Sequence, residues 1–176
     1  MLGKGQRVFL RFPEPTDLIE LQELIRSSKS LHEPWAFLDD SAEAVQRFLA
    51  ERRGERSEAY LLCESSSDQI AGVFRLSEIV RGPFQNAFLS FYAHTDLQGR
   101  GYMTEGLGLV VAHAFTELGL HRLEANIQPE NKRSRHLVER CGFRLEGFSP
   151  RYLKIGDTWR DHERWAITKE LVGPGR

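Results

Sequence analysis

The chain reads as a mixed α/β domain built on a central sheet. Three observations predict this. The stretch "NAFLSFYAH" (86–94) is a strongly apolar run of strand length, the mark of a strand covered on both faces. It passes through a glycine-rich turn into a long apolar run of helical character, from Tyr102 to Leu118. A second strand pattern, "HRLEANIQ" (121–128), follows at once, so strand, helix and strand succeed one another without a linker.

From the N-terminus, "RVFLRF" (7–12) alternates polar and apolar residues as a half-buried strand does. In "PEPTDLIELQELIRSSKS" (13–30), Thr16 or Asp17 is placed to cap a helix whose stripe is Leu18, Leu21, Leu24 and Ile25. "LHEPWAFLDD" (31–40) reads as a loop interrupted by Pro34, and Ser41 opens a second helix reaching about Arg53. "EAYLLCES" and "QIAGVFRLSEIV" are two strands joined by a polar turn, and "RGPF" turns the chain into the apolar strand. Gly119 stops the long helix. "NKRSRHLVERCGF" (131–143) is a short helix with Asn131 at its cap and Gly142 at its end. "YLKIG" and "WRDHERWAIT" form a hairpin around Gly156 and Asp157. Residues 172–176 read as a disordered tail, and residues 1–176 as one domain.

The bulk numbers narrow the function. A net charge of −1 offers no global attraction to nucleic acid or to a membrane. No apolar run approaches the roughly 18 residues of a membrane span, and the N-terminus has no signal-peptide pattern. Cys63 and Cys141 lack metal-ligand spacing and read as buried thiols of a cytoplasmic protein. His162 lies between Asp161 and Glu163, but on an alternating strand it faces away from both, so no metal site is expected.

The stretch "DLQGRGYMTEGLGLVVAHAF" (96–115) sets Gly99 and Gly101 directly before the long helix. A helix start leaves backbone N–H groups unpaired and carries partial positive charge. Glycines let an anion approach that backbone closely. The segment therefore reads either as a tight strand-to-helix turn or as a phosphate cradle. It is neither a Walker loop nor a dinucleotide fingerprint, because the lysine of the first and the third glycine of the second are missing.

The order of motifs then resembles the GNAT superfamily of acyl-CoA-dependent N-acetyltransferases. Gln98, Gly99, Arg100, Gly101, Tyr102 and Met103 stand where that family has its Q/R-x-x-G-x-G/A pyrophosphate loop, Met103 being the departure. Asn131, Ser134, Gly142 and Phe143 match its next helix. "SEIVRGPF", "LQGRGYMTEGL", "GFRLEG" and "YLKIGDTWRDHE" are similar to Rim-type ribosomal-protein N-acetyltransferases (RimJ and RimL).

The resemblance implies a GNAT fold: a mixed, mostly antiparallel sheet with helices on both faces, splayed between two strands to hold acetyl-CoA. The backbone of Phe91, Tyr92 and Ala93 would bind the pantetheine amides, with Ser90 standing where many relatives have glycine. Amides from Gly99 to Thr104 would bind the pyrophosphate, Asn131 the pantetheine arm, and Lys132 and Arg133 the 3′-phosphate. Ser134 would protonate the leaving thiolate, because the family's usual tyrosine is replaced by Val138. Glu78 is the candidate base. Trp35, Phe37 and Tyr152 would wall the acceptor site, with Glu33, Asp39 and Asp40 near the first two. The acceptor is a protein N-terminal α-amine, ribosomal protein first; alternatives are a small amine or a module that binds acyl-CoA without turnover. The resemblance is compatible with a monomer or a homodimer.

Overall fold

The computed structural model describes residues 1–50 and 52–173. Among them nine strands form one open sheet. They are β1 (Gly3–Lys4), β2 (Val8–Arg11), β3 (Arg53–Gly54), β4 (Ser57–Glu64), β5 (Ile70–Val80), β6 (Asn86–Ala93), β7 (Arg122–Ile127), β8 (Arg144–Ile155) and β9 (Thr158–Thr168). The spatial order is β1-β2-β4-β5-β6-β7-β9-β8, with β3 beside β4. Among the described strands only the β6–β7 pair is parallel. The crossover between these two is the helix α4 (Tyr102–Thr116), as the strand–helix–strand reading requires.

Strand alternation sorts the sheet into two faces. One carries Phe74, Leu89, Leu123, Ala125 and Trp165, packed with Leu107, Val110 and Val111 of α4 and with Val138 of α5 (Lys132–Arg140). The other carries Leu61, Cys63, Ile70 and Val73, packed with Leu21, Leu24 and Ile25 of α1 (Leu18–Ser27) and with Val45 and Leu49 of α3 (Ala42–Ala50). Each large apolar side chain so buried is worth about 1.5–3 kcal/mol. Two short α-helices, α2 (Lys29–His32) and α6 (Lys169–Val172), and two 3-10 turns at Pro15–Asp17 and Thr95–Leu97 are the other helical elements among the described residues. Val172, read as the start of a tail, instead ends α6 and packs on the core; residues 174–176 lie outside the described residues.

Two local readings are corrected. The strand read as "YLKIG" begins at Arg144, twelve residues in all. Gly147 and Pro150 hid its first half, and there the register with β9 shifts twice. Asp17 precedes α1 but makes no side-chain cap. Its carboxylate takes both Nη atoms of Arg11 at 2.7 Å and the Glu14 amide at 2.7 Å. Burial alone would raise the Asp17 pKa; the hydrogen bonds from Arg11 and Glu14 and the guanidinium charge outweigh it and hold the pKa below its ordinary value. A carboxylate with a depressed folded-state pKa stabilises above its unfolded pKa, and that stability is lost as pH falls through the folded value. Asp17→Ala should therefore cost about 3 kcal/mol at neutral pH and progressively less below about pH 4, measured by urea denaturation across pH. A pH-independent difference would contradict the pair's role.

Candidate active site

The parallel pairing of β6 and β7 is short. It joins Asn86, Ala87 and Phe88 to Arg122, Leu123 and Glu124, and stops. Beyond it, β6 stays paired with β5 up to Ala93, while β7 stays paired with β9 up to Ile127. The sheet thus opens into a fork whose apex is the Phe88–Glu124 rung.

The backbone of the β6 arm is directed by its register. His94 N donates to Ala71 O at 2.9 Å, so Gly72 and Ala93 form a pair that exchanges no hydrogen bonds. Alternation then turns the N–H and C=O groups of Ala93, Phe91 and Leu89 into the fork. Tyr92, grouped with its neighbours in the sequence reading, instead directs its backbone to Val73 of β5. Its ring lies on the α1/α3 face, 5.4 Å from the His32 ring. Leu89 is a fork residue the sequence reading missed, and only the register reveals it.

At the end of the β6 arm lies the glycine turn. Gly99 and Gly101 both have positive φ, +78° and +80°. Gly101 sits at the N-cap of α4, and the first bond of the helix runs from Glu105 N to Gly101 O at 3.1 Å. The amides before Glu105 precede that bond and face outward at the positive end of a fifteen-residue helix. Tyr102 and Met103 turn their side chains inward, Met103 onto Gly72, so the rim is bare backbone. Arg7 braces the turn from below: its Nη1 donates to Arg100 O at 2.7 Å, and its amide and Nε reach the Glu105 carboxylate at 2.8 and 3.2 Å. The Arg100 side chain is drawn aside, with Nη1 3.5 Å from Glu64 Oε1. Arg133 Nη1 donates to Gln98 Oε1 at 2.9 Å and ties α5 to the turn. Unpaired amides, positive-φ glycines and a helix N-terminus fit a pyrophosphate.

Over the β7 arm, Asn131 caps α5, its Oδ1 accepting from Ser134 N at 3.2 Å. That leaves its Nδ2 as a donor for a ligand. Lys132 and Arg133 are exposed, Ser134 is half-buried, and Val138 is wholly buried in the core. The Ser134 hydroxyl makes no hydrogen bond among the described residues.

The other face of the fork is bridged. Ser28 Oγ accepts from Thr95 N at 2.9 Å, and the His32 ring meets Ala93 O through Nε2 at 2.9 Å. Burial lowers the His32 pKa, so its neutral ring donates there through Nε2–H. The chain then crosses to the β7 arm, where Gln128 Nε2 donates to Trp35 O at 3.1 Å. Phe37, 60% exposed, reaches the Gly156 turn of the β8–β9 hairpin. Residues 28–37 form a strap across the fork mouth, which puts Trp35 and Phe37 at its edge. Tyr152 stands in β8 with its ring 6.1 Å from that of buried His162.

Glu78 is not brought into this group. It lies beside the start of β6, on the closed side of the apex, exposed and ion-paired with Arg56. Glu78→Gln is expected to change kcat less than two-fold; a loss of ten-fold or more would make it the base after all. The residues that do flank the opening on this face are Ser90, Glu124 and Asn126, with Arg164 opposite Asn126 on β9. Period-two alternation from the apex would have found them, had the pairing been known.

Both thiols are free; burial pushes Cys63 and Cys141 up to about 11, which leaves them inert at neutral pH. Among the described residues no helix is long and apolar enough to cross a membrane.

A family model described as an acetyltransferase (GNAT) domain matches residues 7–144. The chain is 34% identical over 172 residues to the probable N-acetyltransferase YjcK of Bacillus subtilis, covering 93% of this chain and 95% of that one. It is 30% identical over 178 residues to the ribosomal protein uS5-alanine N-acetyltransferase of Escherichia coli, covering 97% and 92%. More distantly, it is 24% identical over 135 residues to the spermidine N(1)-acetyltransferase of Vibrio cholerae, covering 77% and 75%. Mycobacterium smegmatis RimJ in complex with CoA-disulfide superposes with a TM-score of 0.87 at 26% identity, covering 96% of this chain and 85% of that one. A fork between two parallel strands, with a glycine turn and a helix N-terminus at the end of one arm, is thus accompanied by similarity along nearly the whole chain, and the protein belongs to the GNAT N-acetyltransferases, enzymes that move an acetyl group from acetyl-CoA to an amine.

Proposed function

We propose that the acceptor is the N-terminal α-amine of a protein, with a ribosomal protein the first candidate, and that the whole chain, 1–176, works as one catalytic domain in the cytoplasm. The observation that carries this reading is the state of the acidic groups near the fork. Glu124 is held by Arg122 Nε at 2.9 Å, Asp40 by Arg26 at 2.9 Å, and Glu33 lies 3.8 Å from Lys29. Glu78 is paired with Arg56. A polyamine needs several free carboxylates converging on one groove; these four each face a cation, with Arg122 shared between Glu124 and Glu146, and Asp39 is taken up by the Ser41 amide. The relative named for alanine acetylation of a ribosomal protein also matches more of the chain, at higher identity, than the one named for spermidine.

The chemistry asked of the residues is modest. An α-amine with pKa near 8 is about a tenth neutral at pH 7, whereas a lysine amine near 10.4 is neutral in roughly one molecule in two thousand. An α-amine therefore reacts without a strong base at the apex, in keeping with a Glu78 that lies outside the fork and is paired with Arg56. Amides from Gly99 to Thr104 hold the pyrophosphate, with Gln98 positioning the turn. The N–H and C=O groups of Phe91 and Leu89 hold the pantetheine arm and the thioester, and Asn131 Nδ2 adds a donor. Lys132 supplies positive charge for the 3′-phosphate, while Arg133 is shared with Gln98. Holding amine and thioester together supplies much of the acceleration. A strand N–H turned into the fork stabilises the developing oxyanion, and Ser134 gives a proton to the departing sulfur. Trp35, Phe37 and Tyr152 line the acceptor's approach.

The test is free-thiol release from acetyl-CoA with ribosomal-protein N-terminal peptides, internal-lysine peptides and small amines. Release with one N-terminal peptide well above the others is expected. Release with small amines alone would assign a small-molecule acetyltransferase, and silence with CoA still bound would assign a binding module.

A further inference from the structure

Two groups on the α1/α3 face of the fork are left without partners. Asn126 stands two residues past the apex on β7, and its Oδ1 is buried with no donor. An unmet buried acceptor costs roughly 1–3 kcal/mol, a cost that a ligand's donor would relieve. Arg164 is its cross-strand partner on β9, on the same face of the sheet. Its exposed guanidinium makes no hydrogen bond or ion pair among the described residues; the nearby charge is that of Glu146. The guanidinium lies over Gly147 of β8, where a Cβ would come within 2.6 Å of Nη2. The absent side chain at 147 is what lets Arg164 lie flat along the hairpin.

We infer that this pair reads an amine together with the carbonyl that follows it. Asn126 Oδ1 accepts from the acceptor's amine, and Arg164 donates to the carbonyl oxygen of the first residue. In a peptide N-terminus the two groups are separated by a single carbon, a spacing that suits neighbouring cross-strand side chains. A polyamine has no carbonyl, and its second cation meets a guanidinium. The inference rests on the N-terminal reading above and deepens it: specificity for α-amines comes from Arg164, and amine orientation from Asn126.

The experiment compares wild type with Arg164→Ala, Arg164→Lys and Asn126→Leu, using an alanine-initiated peptide and spermidine as acceptors. Both intrinsic amine pKa values cancel when the peptide-to-spermidine ratio of kcat/KM is compared between proteins. Arg164→Ala should lower kcat/KM for the peptide about 10- to 100-fold, mainly through KM, the size of one lost charge-assisted hydrogen bond. Spermidine turnover should fall less than three-fold or rise, with acetyl-CoA affinity unchanged. Arg164→Lys should recover part of the loss. Asn126→Leu should weaken both acceptors, because both present an amine. Equal losses on both acceptors in Arg164→Ala, or an unchanged peptide value, would overturn the inference. Wild type that acetylates spermidine and ignores the peptide would instead sink the N-terminal reading itself, and that is decided before any variant is made.

Discussion

Gly101→Val should raise the dissociation constant for acetyl-CoA about 100-fold while leaving a folded protein. The residue sits at φ +80° and ψ 4°, left-handed geometry that a β-branched side chain resists by about 1–2 kcal/mol. A Cβ would also meet Arg7 Nη2 at 3.2 Å, and Arg7 is the group that braces Arg100 O and Glu105. The turn relieves both problems by rotating away from positive φ, which turns the amides of 102–104 off their common target. Losing two or more charge-assisted hydrogen bonds to the pyrophosphate is worth about 3 kcal/mol. Gly101→Ala should fall between, since its methyl meets only the far end of a flexible side chain. Isothermal titration with acetyl-CoA measures the affinity. Thermal shift gives a second reading, because ligand binding raises Tm only where the site survives. A folded Gly101→Val protein that binds within three-fold of wild type would refute the cradle.

The glycine turn and helix start are legible in the sequence because everything in them is local. Two glycines, a strand before and a helix after lie within one stretch of chain, and each has a conformational requirement that sequence displays directly. The cap at Asn131 and the stops at Gly119 and Gly142 were legible for the same reason; both glycines adopt positive φ. The long β8 was not, because Gly147 and Pro150 look like breakers and only pairing with β9 stabilises them as strand. Residue type and position favour Asp17 as a cap, yet Arg11, six residues earlier, offers a charged partner that wins. The fork residues needed register. Whether Tyr92 or Phe91 faces the opening depends on a single bond, His94 N to Ala71 O, between segments more than twenty residues apart. The same holds for Glu78: the apolar pattern places its strand, but which end of that strand lies beside the opening is a property of the pairing, and the pairing puts it with Arg56.

Ser134→Ala should lower kcat about 100-fold with acetyl-CoA affinity within two-fold of wild type. Ser134 is the third residue of α5, with its amide committed to Asn131 Oδ1 and its hydroxyl uncommitted. At that position a serine hydroxyl commonly bonds back to a carbonyl one turn earlier; here it does not, so the group is available to a ligand on the β7 side of the fork. Its task is to give a proton to the sulfur that leaves. A positioned acid contributes typically 10²–10⁴-fold. The lower end applies, because a thiolate of pKa near 8.5 already leaves tolerably without help. That corresponds to a barrier increase of about 2.7 kcal/mol. The same reasoning predicts a pH signature: the penalty should shrink above about pH 8.5, where the free thiolate is the stable form and its protonation no longer drives the step. Ser134→Cys, which keeps a proton donor of similar reach, should retain more activity than alanine. Rates at pH 7 and pH 9.5 for the three proteins, with acetyl-CoA saturating, measure this. An alanine variant within three-fold of wild type at both pH values would remove Ser134 from the mechanism, and an equal loss at both would mark it as a packing residue of α5 and not an acid.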